Sequence, residues 1–268
     1  MNIALLLSGG IHSLHGAHMP RQYNKVNNRM IISYCLETLL RHKDIDAVQV
    51  VAGTMWQDAI KTDIQDISRR IFLERNTDGI ADAMLYAQSM LHPVLQKSFN
   101  FSRPGISKVL SVMNGLQDIQ TYASEEDIVL IHDADRPNLS PAQISRCIEA
   151  CRSHDAAIPA MPITNTVYVS NQADTISTIL PKQRLFVGQT PVTIRLGRYM
   201  SAAQRLTVPE LRKLIDIAEP ATLARLDIAM IPGEETNYAI TSKEELERFS
   251  KERAADSSRP KVAVFRQQ

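Results

Sequence analysis

The feature that most constrains this chain is an apolar run at its start that stops at two glycines. Residues 2–7, Asn-Ile-Ala-Leu-Leu-Leu, lead straight into Ser8-Gly9-Gly10. A run that is apolar at nearly every position, rather than at every second one, suits a strand buried on both faces of a parallel sheet. The same pattern recurs. Ala47–Ala52, Ile128–Ile131, Ala156–Ala160 and Asp227–Ile231 read as further strands. Helical spacing of apolar residues fills 29–41, 57–69, 79–97, 106–122 and 242–251, with Ser102–Gly105 as a loop. Ser140 followed by Pro141 is an N-cap and first-turn pair for a helix running to Ser153. Strands alternating with helices predict an α/β fold, a mostly parallel sheet flanked by helices on both faces.

The alternation breaks once. Thr166–Ser170 and Thr175–Leu180 are short β-prone runs around Asn171-Gln172-Ala173-Asp174, a hairpin signal. They predict an arm at about 164–182 protruding from a domain that spans 1–253. Residues 254–268 lack clear periodicity until Val262–Phe265 and are expected to form a mobile or docked tail.

Composition narrows the partners. The chain carries 30 Lys+Arg against 29 Asp+Glu, a net charge of +1. That balance lacks the basic footprint of a nucleic-acid or membrane-surface protein. The first apolar run is too short for a signal segment and has no basic residues before it. No stretch approaches the roughly 20 apolar residues of a membrane helix. A cytoplasmic protein is the expectation. Cys35, Cys147 and Cys151 read as buried thiols. His12, His15 and His18 sit in a glycine loop at a spacing with no standard zinc geometry.

In an open parallel sheet, ligands bind beyond the C-terminal ends of the strands. Two polar loops lie at such ends. Residues 8–22 combine glycines, whose N–H groups can approach a phosphate, with Arg21 as a charge. Residues 132–137, His-Asp-Ala-Asp-Arg-Pro, offer a carboxylate that could hold Mg²⁺ beside a nucleotide phosphate. Of the two carboxylates at this strand end, Asp133 is expected to face the site and Asp135 is not. Asp135 is expected to cap the next helix or to pair with Arg136.

Five segments, in order, carry a resemblance. Val129–Pro137 resembles the His-Asp-Ala-x-Arg-Pro motif of the 2-C-methyl-D-erythritol 4-phosphate cytidylyltransferase family, which has Ala or Val where Asp135 stands here. Met19–Tyr23 is similar to its Pro-Lys-Gln-Tyr/Phe motif, and Ser111–Leu116 to its Ser/Thr-Val/Ile-x-x-Gly-Leu helix. Gly188–Pro191 resembles its Gln-Thr-Pro-Gln motif, and Asn237–Thr241 its Asn-x-Lys-Ile/Val-Thr motif. The similarity covers roughly residues 2–250. Met19-Pro20 and Gly188–Pro191 lean toward the ribitol-5-phosphate cytidylyltransferase branch.

The resemblance implies a Rossmann-like nucleotidyltransferase fold, a dimerising β-arm and Mg²⁺. It implies transfer of CMP from CTP to a polyol or sugar phosphate, for example ribitol 5-phosphate or 2-C-methyl-D-erythritol 4-phosphate, with release of pyrophosphate. On it, Arg21 and Lys182 stand at cationic catalytic positions, Lys182 against the second substrate. Ser8, Gly9, Gly10, Lys108, Ser111 and Asp133 would bind the nucleotide, with Asp133 also the Mg²⁺ ligand. Arg136, Thr166 and Thr190 would hold the acceptor, and Asp216 matches a Thr-Asp position.

The departures are specific. Leu14 replaces an Arg that contacts the triphosphate, and Ala239 replaces the Lys of Asn-x-Lys. Asn165 replaces the arm Asp, and Val192 the last Gln of Gln-Thr-Pro-Gln. With two cations missing, a homologue that binds a nucleotide or partner without turnover is the alternative. A nucleotidyltransferase for another base is a third reading.

Overall fold

A computed structural model of the chain describes residues 1–10, 14, 19–75, 97–172 and 174–258. The strands are β1 (Asn2–Leu7), β2 (Lys25–Val26), β3 (Arg29–Met30), β4 (Ala47–Val51), β5 (Ser98–Ser102) and β6 (Ile128–Asp133). They continue with β7 (Ala156–Pro162), β8 (Val167–Val169), β9 (Thr178–Leu180), β10 (Phe186–Gly188), β11 (Val192–Arg195) and β12 (Ile228–Pro232). The α-helices are α1 (Ile31–Arg41), α2 (Thr54–Arg75), α3 (Lys108–Ile119), α4 (Pro141–Ser153), α5 (Leu196–Ala203), α6 (Val208–Lys213), α7 (Glu219–Leu223) and α8 (Lys243–Ser258).

Eight strands form one mixed sheet in which β6, β1, β4 and β5 run parallel side by side. β11 joins β6 antiparallel, and β7 carries β10 and β11 antiparallel on one edge and β12 parallel on the other. The apolar run of β1 serves both faces, as its sequence required. Ala4 and Leu6 pack into one core with Leu36, Ile60 and Ile144, from α1, α2 and α4. Ile3 and Leu5 pack into the other with Val112 and Leu116 of α3 and Tyr199 of α5. Burial on alternate sides at successive positions follows from the period-2 geometry of a strand.

The Ser140 hydroxyl caps α4 by accepting the Gln143 N–H at 3.0 Å, with Pro141 in the first turn. All three cysteines are buried free thiols. The hairpin expected at 164–182 is present as the antiparallel pair β8–β9, shorter than its sequence suggested.

Several expectations need correction. Strand β5 occupies Ser98–Ser102, where the sequence predicts no element because the Phe99-Asn100-Phe101 alternation is too short to stand out. Residues 254–258 continue α8, because its last turns extend a good helical stretch; the rest of the expected tail falls outside the described residues. So do residues 79–96 of an expected helix, and His12, His15 and His18. The segment 186–226, given no elements from sequence, supplies two antiparallel strands and three short helices. No helix among the described residues is long and apolar enough to cross a membrane.

Candidate functional site

Beyond the C-terminal ends of β6, β1 and β5, with β4 between the last two, a cavity of about 960 Å³ opens. Its walls are Gly9 and Gly10 after β1, Pro104–Lys108 after β5, and Asp133, Asp135 and Arg136 around the end of β6. Arg21, Gln22, Ser111, Ala239 and Thr241 complete it. The register explains the meeting: Leu7 pairs with Asp133, so the glycine turn emerges beside the carboxylate. A larger, more open groove of about 1250 Å³ lies beside α1 and α8, but its Arg29 and Arg41 are paired with Glu37.

The glycine turn is fixed from one side. Gln22 Nε2 donates to the carbonyls of Ser8 at 3.0 Å and Gly10 at 2.9 Å. The Tyr23 hydroxyl donates to the Ser8 carbonyl at 2.8 Å. A Cβ on Gly9 would stand 2.5 Å from Pro104 Cβ, so only glycine lets the two loops touch. Across the cavity, Ser111 Oγ accepts the Gly105 N–H at 3.0 Å and donates to the Ser107 carbonyl at 2.9 Å. These two residues, Gln22 and Ser111, fix the backbone of the loops that line the cavity after β1 and β5. Gln22 belongs to the Met19–Tyr23 motif, but an uncharged side chain gives no sequence signal for this role, whereas the charge of its neighbour Arg21 does.

Among the described residues, every Lys or Arg of the wall faces a carboxylate. Lys108 Nζ lies 2.8 Å from Asp133, Arg136 Nε 3.8 Å from Asp133, and Arg21 2.6 Å from Asp135. Burial alone would push the Asp133 carboxyl up, but the Lys108 ammonium, with His132 and Arg136, outweighs it and holds the group below the ordinary range. Asp135 moves the other way: burial and the charge of Asp133 raise it against the pull of Arg21. Asp135 therefore belongs to the site, contrary to expectation. Residues two apart in a strand share a face, so alternation gives no ground for separating Asp135 from Asp133; β6 ends at Asp133, and Asp135 turns into the cavity and pairs with Arg21 rather than with Arg136.

Behind the cavity, three motifs lock together. Thr190 Oγ1 accepts the Asp133 N–H and donates to Nδ1 of His132, whose Nε2–H reaches the Arg136 carbonyl at 3.0 Å. Burial pushes the His132 imidazole down to about 4, so it is neutral, as this bonding pattern requires. Asn237 Nδ2 donates to the Thr190 carbonyl at 2.8 Å, and Arg136 donates to the Asn237 carbonyl at 2.7 Å. Gln189 and Glu234 exchange two further bonds with backbone partners, at 2.8 and 3.0 Å.

Of the sequence-derived site residues, Gly9, Gly10, Arg21, Lys108, Ser111, Asp133 and Arg136 line the cavity. Ser8 is buried against Tyr23, and Thr190 is buried behind Asp133 with its hydroxyl engaged. Thr166 and Lys182 lie exposed on the arm, where Lys182 Nζ donates to the Thr164 carbonyl at 3.1 Å; neither lines the cavity. Asp216 is also off it, bonded to the Ala218 N–H at 2.7 Å. Leu14 is packed with Val26, Ile31, Ile240 and Phe249 and does not line the cavity, whereas Ala239 does.

The family model for IspD, 2-C-methyl-D-erythritol 4-phosphate cytidylyltransferase, matches residues 3–250. The bifunctional enzyme IspD/IspF of Bradyrhizobium sp. (strain ORS 278) is 29% identical over 91% of this chain and 54% of its own length. This chain thus spans about half the length of the bifunctional relatives it matches. The 2-C-methyl-D-erythritol 4-phosphate cytidylyltransferase of Thermosipho melanesiensis is 26% identical over 92% of this chain and 95% of its own. The ribitol-5-phosphate cytidylyltransferase of Vibrio parahaemolyticus is 25% identical over 90% and 91%. In fold, the chain resembles 4-diphosphocytidyl-2C-methyl-D-erythritol synthase from Anaerococcus prevotii, with TM-score 0.70 and 19% identity over 94% of this chain and 98% of that one. Ordered motifs, strand-end cavity and a model match over nearly all of the domain agree: the chain belongs to the 2-C-methyl-D-erythritol 4-phosphate cytidylyltransferase family.

Proposed function

We propose that this chain transfers CMP from CTP to a polyol phosphate, with release of pyrophosphate. The observation that carries the reading is the gathering of Arg21, Lys108 and Arg136 around a backbone-lined glycine turn at the parallel strand ends. An acceptor phosphate oxygen forms a bond to the α-phosphorus of CTP, and the bond from that phosphorus to the bridging oxygen breaks. The leaving pyrophosphate takes the electron pair. Catalysis of this kind is mostly positioning and neutralisation of phosphate charge. Backbone N–H groups of the glycine turn hold the triphosphate, and Arg21 and Lys108 offset its charge. Arg136, anchored through Asn237, orients the attacking phosphate.

The residues fit Mg²⁺. Asp133 is ionised and Asp135 offers a second oxygen donor, while no three His, Cys, Asp or Glu side chains among the described residues form a cage. One or two carboxylates, with phosphate oxygens and water completing the shell, is how Mg²⁺ is usually held. Asp133 would be its ligand, and the ion would neutralise charge on the phosphates.

Leu14 bears on activity. Its side chain packs with Val26, Ile31, Ile240 and Phe249 and does not line the cavity among the described residues, whereas Ala239 does, which supports Ala239 as the position where a missing cation weakens the site. The acceptor side is proposed to be completed by the arm of a second copy. Thr166 and Lys182 sit on that arm off the cavity, and Tyr168, Ile176, Ile179, Phe186 and Val187 expose apolar surface on it and beside it. Deleting 168–178 is expected to turn a dimer into a monomer by light scattering, with loss of turnover.

The deciding experiment is pyrophosphate release from each of the four nucleoside triphosphates against a panel of polyol and sugar phosphates. CTP with ribitol 5-phosphate or 2-C-methyl-D-erythritol 4-phosphate should give the signal. No release from any pair would overturn the reading.

A further inference from the structure

The pair Arg21–Asp135 is held by backbone at both ends. Arg21 lies in a single 3₁₀ turn, Arg21–Tyr23, which Gln22 and Tyr23 fasten to the carbonyls of Ser8 and Gly10. The Asp135 carbonyl accepts the Ile240 N–H at 2.8 Å, which fixes its main chain to the segment bearing Ala239. Neither backbone can follow a departing partner, so the 2.6 Å contact is made or broken by side-chain rotation. Both side chains line the cavity, the carboxylate only 12% exposed. On the same wall Ala239 supplies no charge that could take the place of Arg21.

We propose that Asp135 is a positioning residue that holds Arg21 back from phosphate and so weakens the grip of the cavity on its anionic ligand. A guanidinium presents a planar fork of donors, and a carboxylate competes for the same fork as a phosphate does. An entering polyphosphate must win Arg21 from Asp135 by exchange of one charge-assisted contact for another. Affinity is thereby lowered, and the ligand can leave. Lys108 and Arg136 face Asp133 instead, so the restraint by Asp135 acts through Arg21. The inference rests on the cytidylyltransferase reading only for the kind of ligand.

Calorimetric titration of the intact chain with inorganic pyrophosphate, in EDTA, tests it. D135N keeps the side-chain shape and removes the charge, and D135A is the second variant; thermal melting checks that both fold. D135N should bind pyrophosphate about tenfold tighter than the unaltered chain, the gain of one charge-assisted bond less its restraint. In the R21Q background the same change should alter affinity by no more than about twofold, which separates action through Arg21 from plain repulsion. Unchanged or weaker binding by D135N overturns the proposal, as does an equal gain in R21Q or no binding by any variant. Pyrophosphate release from CTP is measured separately. Turnover without the tenfold gain leaves the function and removes this inference, while the gain without turnover does the reverse.

Discussion

Thr190 and His132 share a hydrogen bond of 3.2 Å, and the same Thr190 hydroxyl accepts the Asp133 N–H at 3.2 Å. Thr190 thereby ties the backbone of Asp133 at the end of β6 to the Gln-Thr-Pro segment. Thr190→Val keeps the shape and leaves both partners unsatisfied. It should cost about 1–3 kcal/mol in urea unfolding and lower turnover, since a buried group without its partner bears its full desolvation cost. Thr190→Ser should recover most of both. If Thr190→Val lowers only acceptor binding, with stability intact, the positioning role is wrong.

His132 should make stability depend on pH. Its imidazole stays neutral down to about 4 in the fold, against roughly 6.5 when unfolded. Between these values the unfolded chain binds the proton and the folded chain does not. This contribution is present above about pH 6.5 and is lost as pH falls toward 4, on the order of 3 kcal/mol in full. Denaturant unfolding of His132→Gln and the unaltered chain at a series of pH values should show a shallower slope for the variant over that window. Equal slopes would refute it.

Asp133 contributes on a lower limb. Its carboxyl is held below the ordinary range with Lys108 beside it. The associated stability is present above about pH 4 and is lost as pH falls through the depressed value. Lys108→Met should raise the Asp133 titration, read by carbon-13 NMR of its carboxyl, and should remove that part of the acid dependence. No movement of the carboxyl resonance midpoint would contradict the pairing.

Leu14 and Ala239 should respond in opposite ways to the residues that the family motifs carry. Leu14→Arg places a guanidinium among Val26, Ile31, Ile240 and Phe249, and should destabilise by several kcal/mol with no gain in CTP affinity. Ala239→Lys adds a cation to the cavity wall and should tighten CTP binding about 10- to 100-fold. Melting and calorimetric titration of each single variant separate the two. Tighter CTP binding by a stable Leu14→Arg protein would show the leucine to be a site position.

Much of the fold was legible because its signals are local. The run at residues 2–7, the Ser140–Pro141 cap and the hairpin around 171–174 are each written in neighbouring residues. β5 was missed because its alternation is short, and 186–226 because antiparallel β10 and β11 are stabilised by pairing with β7 and β6 rather than by their own pattern. At the site, the glycine turn and the charged residues of two loops were found by type and place.

What the sequence alone determined is the layered α/β architecture, the strand ends that carry the chemistry and the residue types gathered there. Apolar periodicity and capping act over a few residues and need no distant partner. The tertiary structure decided where individual side chains go: Leu14 into a core, Thr190 behind Asp133, Asp135 into the cavity against Arg21. Each destination depends on segments far along the chain, as where Arg136 meets a carbonyl 101 residues away. Only folding brings such groups within the few ångströms over which hydrogen bonds and ion pairs select a position.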